Sequence, residues 1–241
     1  MTERTALYSG TRNLYHDMVT AAKSLLYHNG ADHVYFLIED NTFPEKLPPC
    51  ITCIPVQNQT ILLHDGPNFL TPWTYMALIR CALTQILPKL DKILVLDVDT
   101  VVHKPIDYLW DLDISRYYCA GVEETQITHR RKPYFNFGVM MHNLKKLRDD
   151  GADETIIRTI NTVHLPFPEQ DALNSVCYGH ILPIPFEYNA IRFNLPKVPA
   201  EDVVIKHYAD TNEPMNSHDD YLFFDSMPWD DVLAHKEAKK P

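Results

Sequence analysis

Apolar runs of strand length alternate with a segment of helical periodicity at the start of this chain. Residues 5–9, 34–38 and 51–56 are such runs, and Met18 and Leu25 belong to a helical repeat between the first two. A short, nearly continuous apolar run is typical of a strand buried on both faces, as in parallel sheets that helices cover. The opening segment therefore predicts a β-α-β unit.

Later segments continue this alternation of strands and helices. The further predicted elements are an amphipathic helix over residues 76–87, the central strand over residues 93–96, strands over residues 138–141 and 203–205, a helix from Leu144 and another helix over residues 169–177. The predicted fold class is α/β, with a mixed, mostly parallel central sheet flanked by helices.

Length and charge limit the number of domains and the class of partner. The chain has 241 residues, of which 45% are hydrophobic, and no linker interrupts it, so we expect a single domain over residues 1–241. The net charge of −10 argues against a nucleic-acid partner, which needs a clustered basic surface. The chain has two short basic segments. We expect residues 129–132 to form a solvated loop and residues 236–240 to be a frayed terminus.

The number of cysteines and the lengths of the apolar runs indicate the cellular location that we expect for the chain. Five cysteines, an odd number, without an apolar N-terminal signal favour reduced thiols in the cytoplasm. No run of about 18 apolar residues is present that would form a transmembrane segment. Cys50 and Cys53 form a single C-x-x-C motif, for which we expect strand packing, with a zinc or redox role as the alternative.

Two carboxylates follow the central strand directly. Asp97-Val98-Asp99 comes after the apolar residues 93–96, and ligands of open α/β sheets bind beyond the carboxyl ends of the strands. A turn can converge both carboxylates on one hard cation, which can in turn bind a diphosphate. A solvated surface turn is the structural alternative.

The same motif also fits a different class of enzyme. Residues 97–101 resemble the Asp-x-Asp string of haloacid-dehalogenase-type phosphatases, in which the first aspartate, here Asp97, is the nucleophile. Those enzymes usually carry the string near the start of the chain, whereas 96 residues precede it here. Because the later acidic segment 218–220 also lacks a preceding strand, we regard the phosphatase as the weaker alternative.

Four blocks in a fixed order resemble glycosyltransferase family 8, which includes glycogenin-like enzymes and bacterial lipooligosaccharide galactosyltransferase-like enzymes. The blocks are residues 87–102, 134–146, 169–174 and 205–208, and the resemblance runs from about Thr5 to about Pro214. It implies a GT-A fold with a Rossmann-like nucleotide-binding half at about residues 1–110 and a donor-sugar and acceptor half at about residues 111–241.

The resemblance also implies the reaction and its partners. We expect transfer of a hexose from a UDP-sugar, with retention of configuration, to a glycan, lipid-linked or protein acceptor. The expected metal is Mn²⁺ or Mg²⁺, which neutralises the leaving nucleoside diphosphate as a Lewis acid.

Roles for individual residues follow from the matched positions. The resemblance implies three metal ligands, Asp97, Asp99 and His207. It implies donor contacts by Tyr15, which would stack on uracil, and by Asn13, Arg80 and Val98. It also implies contacts by Asn136, whose amide would bind sugar hydroxyls, by Gly138, whose missing side chain would let the donor come close, and by Glu123, with the adjacent Glu124 as the alternative. It implies catalytic positions at Gln170, whose amide oxygen would face the anomeric carbon, and at its neighbours Glu169 and Asp171.

Structural roles remain open for several of these residues. The alternatives are core packing for Tyr15 and His207, a helix-surface ion pair for Arg80, a plain strand entry for Asn136 and Gly138, and caps of a helix start for Glu169 and Asp171.

The chain departs from the family pattern after His207. Asp210 and Glu213 stand where the family has a glycine and a diphosphate-binding lysine. A carboxylate beside a diphosphate predicts an open loop, a different acceptor or weak donor binding. A catalytically weakened family member that binds sugar nucleotides or glycans is therefore a further alternative.

Overall fold

The computed structural model describes residues 3–71, 74–125, 132–209 and 213–239. Its strands are, in chain order, β1 (Thr5–Gly10), β2 (His33–Ile38), β3 (Ile51–Pro55), β4 (Lys92–Leu96), β5 (Thr100–Val102), β6 (Cys119–Glu123), β7 (Phe135–Asn143), β8 (Ile181–Pro183) and β9 (Ile205–His207). Seven of them form one sheet in the order β3-β2-β1-β4-β7-β6-β8, and β5 pairs with β9 in a second, small sheet.

The main sheet is mixed but mostly parallel, as predicted. β1 pairs in parallel with β2 and β4, β2 with β3, and β6 with β8. β7 runs antiparallel to both of its neighbours, β4 and β6. The start of β7 therefore lies at the same edge of the sheet as the carboxyl ends of β1 and β4.

Helices cover both faces of this sheet. They are α1 (Tyr15–Tyr27), α2 (Thr74–Leu78), α3 (Leu83–Ile86), α4 (Asp107–Asp111), α5 (Leu144–Asp149), α6 (Ala152–Thr162), α7 (Pro168–Val176), α8 (Asp219–Ser226) and α9 (Trp229–Ala238). Tyr8 of β1 packs in one hydrophobic cluster with Met18 of α1, whereas Leu7 packs in the opposite cluster with Leu173 of α7. Both faces are buried, which explains why β1 lacks polar alternation.

Three elements differ from their predictions. The second amphipathic helix is broken into α2 and α3 by a 3₁₀ helix, Ile79–Ala82. The late strand begins at Ile205 and not at Val203. The prediction of a frayed C-terminus was wrong for Lys236. This residue lies in α9 and is buried, and its ammonium donates to the backbone oxygen of Asp32 at 3.2 Å.

The cysteines are all free thiols, three of them buried. Cys50 and Cys53 pack partly buried against the core, in agreement with the predicted strand packing. Among the described residues, no helix is both long and apolar enough to cross a lipid bilayer. The basic residues 129–131 and Lys240 lie outside the described ranges.

Candidate active site

A cavity of 1070 Å³ opens at the carboxyl ends of β1 and β4. Its wall is formed by the last residues of β1, by the loop after β4, by the start of β7 and by the start of α7. The wall includes Gly10, Asp97, Asp99, Asn136, Gly138 and Gln170. The polar residues that follow the apolar strands thus meet in one place, as open α/β sheets require.

Asp97, Asp99 and His207 converge at one side of this cavity. Each offers one ligand atom, and these atoms lie within 4.8 Å of one another. His207 Nε2 lies 3.5 Å from Asp97 Oδ2 and 3.2 Å from Asp99 Oδ1. Although His207 is buried, its Nε2 makes no hydrogen bond within the described part of the chain. Two carboxylates and an imidazole with a free ring nitrogen fit a divalent cation such as Mn²⁺.

His207 and Asp99 shift each other's pKa. Burial lowers the pKa of His207, but the neighbouring Asp99 carboxylate outweighs burial and raises the pKa overall. Burial raises the pKa of Asp99, but His207 outweighs it, so the pKa of Asp99 is lowered. A proton on His207 is therefore favoured by the same carboxylates that favour a cation, and metal binding is expected to release that proton.

The backbone brings the ligands together from distant parts of the sequence. Thr100 of β5 lies opposite His207 of β9, and the Tyr208 N–H donates to the backbone oxygen of Asp99 at 2.9 Å. The Thr100 hydroxyl donates to the backbone oxygen of Asp97 at 2.7 Å and closes the turn between the two aspartates. This turn points both carboxylates at the end of β9.

Two asparagines fix the orientation of the His207 ring. The Gly138 N–H donates to Asn136 Oδ1 at 2.9 Å, which identifies the oxygen end of that amide. Asn189 Nδ2 donates to the same oxygen at 2.8 Å, so Asn189 Oδ1 remains to accept from His207 Nδ1 at 2.8 Å. With its hydrogen on Nδ1, the neutral imidazole presents the Nε2 lone pair to the two carboxylates.

Asn189 was missed by the sequence analysis. It is fully buried in a 3₁₀ helix, Phe186–Asn189, outside the four family blocks. No pattern in the sequence marks this position. Asn136 was predicted to bind sugar hydroxyls; it does line the cavity, but its oxygen already accepts the two hydrogen bonds that orient His207.

Gly138 provides the space that the His207 ring occupies. A Cβ atom at this position would lie 2.1 Å from His207 Cε1, 2.5 Å from Nδ1 and 3.0 Å from Asp97 Oδ2. A missing side chain was predicted here to let the donor sugar come close. The structure gives a different reason for the glycine, since any side chain would displace the His207 ring.

Arg80 forms a buried ion-pair triad with two acidic residues of the cavity wall. Its guanidinium contacts Asp97 and lies 2.5 Å from Glu169 Oε2. Burial lowers the pKa of Arg80, but the two carboxylates outweigh it and raise the pKa overall. Burial raises the pKa of Glu169 to about 7, and the nearby Asp97 carboxylate adds to this rise, although the Arg80 guanidinium opposes it. Arg80 lines the cavity as predicted, but both of its terminal nitrogens already contact carboxylates.

Gln170 faces the cavity and contacts Glu124, not Glu123. Gln170 Nε2 donates to Glu124 Oε2 at 3.2 Å. Glu123 is exposed and does not line the cavity, so the prediction chose the wrong one of two adjacent glutamates. The pairing between β6 and β7 shifts between Gly121 and Val122, and such a bulge changes which residue faces which side.

Asp171 is part of the framework of α7. One of its carboxylate oxygens accepts from the Tyr134 hydroxyl at 2.8 Å, and the other accepts from the Phe167 N–H at 2.9 Å. The carboxylate is buried and absent from the cavity wall. The structure therefore corrects the predicted catalytic position and favours the helix-start role that was its alternative.

The nucleoside contacts predicted near the end of β1 are not in the cavity. Tyr15 is buried, stacks on Phe43 with ring centroids 4.8 Å apart, and its hydroxyl accepts from the Glu39 N–H at 2.9 Å. Asn13 is exposed and accepts from the Thr11 hydroxyl. The preceding residue of the helix start, Leu14, lines the cavity instead, together with Asp17 and the predicted Val98.

Curated glycosyltransferases match part of this chain at low sequence identity. A putative glycosyltransferase of Haemophilus influenzae is 26% identical over 172 residues, which cover 62% of this chain and 52% of the relative. The lipopolysaccharide 1,2-glucosyltransferase of Escherichia coli is 26% identical over 174 residues, covering 59% of this chain and 51% of the relative. The chain thus spans about half the length of these relatives.

Solved structures share the fold over nearly the whole chain. The glycosyltransferase GlyE of Streptococcus pneumoniae matches with a TM-score of 0.76 at 19% identity, covering 99% of this chain and 64% of that protein. The galactosyltransferase LgtC, solved with donor and acceptor sugar analogs, matches with a TM-score of 0.69 at 17% identity, covering 94% of this chain and 98% of that protein. At such identities the matches show a common GT-A fold.

Family membership rests on the sequence as a whole. The profile described as "Glycosyl transferase family 8" matches residues 7–214, close to the range over which the four blocks resemble the family. The chain belongs to glycosyltransferase family 8.

Proposed function

We propose that the chain is a metal-dependent, retaining glycosyltransferase that moves a hexose from a UDP-sugar to a glycan, lipid-linked or protein hydroxyl acceptor. The observation that carries the proposal is the convergence of Asp97, Asp99 and His207 within 4.8 Å at the wall of a large cavity. Membership of the family supports the reaction class. The five free thiols support a cytoplasmic location.

The three ligands would hold Mn²⁺ or Mg²⁺ at the diphosphate of the donor. A bound cation would supply Lewis-acid stabilisation of the leaving UDP. Asn189 and Asn136 orient His207 for this role, and Arg80 holds Asp97 in place from the opposite side. The contribution of the chain is thus to fix the ligand geometry before the donor arrives.

The donor sugar would lie between the metal ligands and the start of α7. Gln170 lines this part of the cavity, and its amide oxygen would stabilise positive charge that develops at the anomeric carbon. Front-face substitution, in which the acceptor hydroxyl enters on the face from which UDP leaves, would give the proposed retention of configuration. Glu169, beside it, is held by Arg80 and would fix the position of the helix start.

One observation favours a second candidate, a binding protein with weakened catalysis. Among the described residues, the cavity wall carries one arginine but six acidic residues: Asp17, Asp97, Asp99, Glu124, Glu169 and Glu213. This excess of negative charge opposes a nucleoside diphosphate unless a cation is bound. Asp210, the other departure from the family pattern, lies outside the described residues.

A panel of UDP-sugars, read by released UDP, tests these alternatives. The proposed enzyme releases UDP from one UDP-hexose with Mn²⁺ and none in excess EDTA, and a matching acceptor raises the rate. A binding protein would bind UDP with Mn²⁺ in calorimetry but release none. Full activity in EDTA would contradict the metal-dependent mechanism. The phosphatase alternative instead predicts cleavage of p-nitrophenyl phosphate, lost in Asp97→Asn, without any UDP compound.

A further inference from the structure

The orientation of the Gln170 amide decides what this residue offers to a donor sugar. A glutamine carries an accepting oxygen and a donating NH₂ group at the same planar end. Only the oxygen stabilises positive charge at a carbon atom, whereas the NH₂ group opposes it. Rotation about the terminal torsion, which has broad minima, exchanges the two.

Glu124 binds the donating end of this amide. Gln170 Nε2 lies 3.2 Å from Glu124 Oε2, and no other hydrogen bond of the Gln170 side chain occurs within the described ranges. An ionised carboxylate accepts hydrogen bonds but cannot donate them. It therefore binds the NH₂ end of Gln170 and leaves the oxygen directed elsewhere, in a cavity that both side chains line.

Glu124 is itself held in position by β7. Its backbone N–H donates to the backbone oxygen of Tyr134, the residue before β7, at 2.7 Å. Asn136 Nδ2 lies 3.5 Å from the same carboxylate oxygen, and the Gly138 N–H independently fixes that amide from its other end. The amides of Gln170 and Asn136 thus both present their NH₂ groups to one anchored carboxylate.

We propose that Glu124 is a positioning residue that turns the amide oxygen of Gln170 toward the reacting carbon of the donor sugar. The proposal rests on the transferase function proposed above. Without Glu124, Asn136 would lose only its 3.5 Å contact with that carboxylate. The Gly138 N–H would still hold the Asn136 oxygen, which holds Asn189 and, through it, His207. Loss of Glu124 therefore affects Gln170 and spares the metal ligands.

A double-mutant cycle tests whether Glu124 acts through Gln170. Glu124→Ala, Gln170→Ala and the double variant are compared with the full chain, using the UDP-hexose that the panel identifies, with Mn²⁺. Glu154→Ala, which removes an exposed carboxylate on α6, is the matched control. We expect each single variant to lower kcat by about 10- to 100-fold at similar donor KM. The double variant should be no slower than Gln170→Ala.

Two further measurements separate positioning from general damage. Glu124→Gln keeps an accepting oxygen and should recover part of the lost kcat, and it serves as the informative variant if Glu124→Ala fails to fold. Calorimetry should give a Kd for Mn²⁺ within about threefold of the starting protein for both Glu124 variants, because the His207 anchor remains.

The possible failures are distinguishable. Multiplying effects in the double variant, or wild-type kcat in Glu124→Ala, would overturn the role of Glu124 and leave the transferase proposal intact. A chain that releases no UDP from any UDP-hexose with Mn²⁺ would overturn the proposed function and, with it, this inference.

Discussion

The two ends of the cavity differ in how firmly their residues are fixed. At the proposed metal end, Asp97, Asp99 and His207 are each held by a strand pairing, a turn or a side-chain hydrogen bond. At the end formed by β1 and α1, the residues predicted to bind the nucleoside are buried or exposed, and Leu14 and Asp17 take their places on the wall.

This difference reflects the chemistry that each end needs. A divalent cation requires particular ligand atoms in a nearly fixed geometry, so few residue types are acceptable. A base or ribose can be bound by many combinations of apolar and polar side chains. The metal end is therefore conspicuous in the sequence, whereas the opposite end depends on details of local backbone geometry.

The largest expected effect is at the metal end. Asp99→Asn should lower Mn²⁺ affinity and UDP release by about 100-fold or more, because it removes a charged ligand. The melting temperature without metal should change much less than the Mn²⁺ affinity, since the Asp99 side chain is 37% exposed and its ion-pair partner among the described residues is His207. Asp97→Asn is a poorer probe, because it also leaves Arg80 and Glu169 with an altered ion-pair triad. A large loss of apo stability in Asp99→Asn would show that this aspartate is structural.

The next largest effect is expected at Gly138, which leaves room for the His207 ring. Gly138→Ala should lower Mn²⁺ affinity by about 10- to 100-fold, since the new Cβ would lie 2.1 Å from the imidazole and must displace it. Gly121→Ala, in the neighbouring strand, is the matched control, because its Cβ would meet Phe137 at 3.4 Å, which is a tolerable contact. Calorimetric Mn²⁺ titration of both variants measures the difference. Equal affinities would mean that the backbone at Gly138 can move without affecting the metal ligands.

A smaller effect is expected from the loop after β9. Glu213→Lys should tighten UDP binding in the presence of Mn²⁺ by about 5-fold, which corresponds to about 1 kcal/mol. Its side chain is 75% exposed, so solvent and salt screen most of the Coulomb energy. Titrations of Glu213→Lys and Glu213→Gln at low and high salt check the charge dependence. Unchanged affinity at low salt would show that this loop does not approach the diphosphate.

The smallest effect distinguishes two adjacent residues at the opposite end. Leu14→Ala should weaken UDP binding by about threefold, through lost apolar contact in the cavity. Tyr15→Phe should leave UDP affinity unchanged but lower the free energy of unfolding by about 1 kcal/mol, because Tyr15 accepts a hydrogen bond from the Glu39 N–H. Calorimetry and urea unfolding of both variants provide the test. Weaker UDP binding by Tyr15→Phe would instead show that the Tyr15 hydroxyl contacts the nucleotide.

Patterns with a strong physical cause were predictable from the sequence. The apolar runs that became β1, β2, β3 and β4 are buried on both faces, and burial constrains residue type at every position. Asp97 and Asp99 follow such a run, so their location at the sheet edge followed directly. His207 also follows a strand, but its role as a metal ligand was predicted only by resemblance to the family.

The wrong predictions fall where a local irregularity of the backbone changes the direction in which a side chain points. A 3₁₀ turn, Arg12–Leu14, precedes α1 and shifts the helical phase, so that Leu14 faces the cavity and Tyr15 the core. The shift in pairing between Gly121 and Val122 decides between Glu123 and Glu124. Neither irregularity has a period that a sequence pattern would reveal.

The pairing of β5 with β9 also has a consequence for folding. This ladder joins Thr100 to His207, about a hundred residues later in the chain, and such distant pairings form slowly because a long loop must close first. During synthesis the two aspartates therefore emerge well before the histidine that completes their site. An ion bound by all three would connect early and late parts of the chain, and at a concentration of about 100 times its Kd it would add about 2.7 kcal/mol to the stability of the folded state.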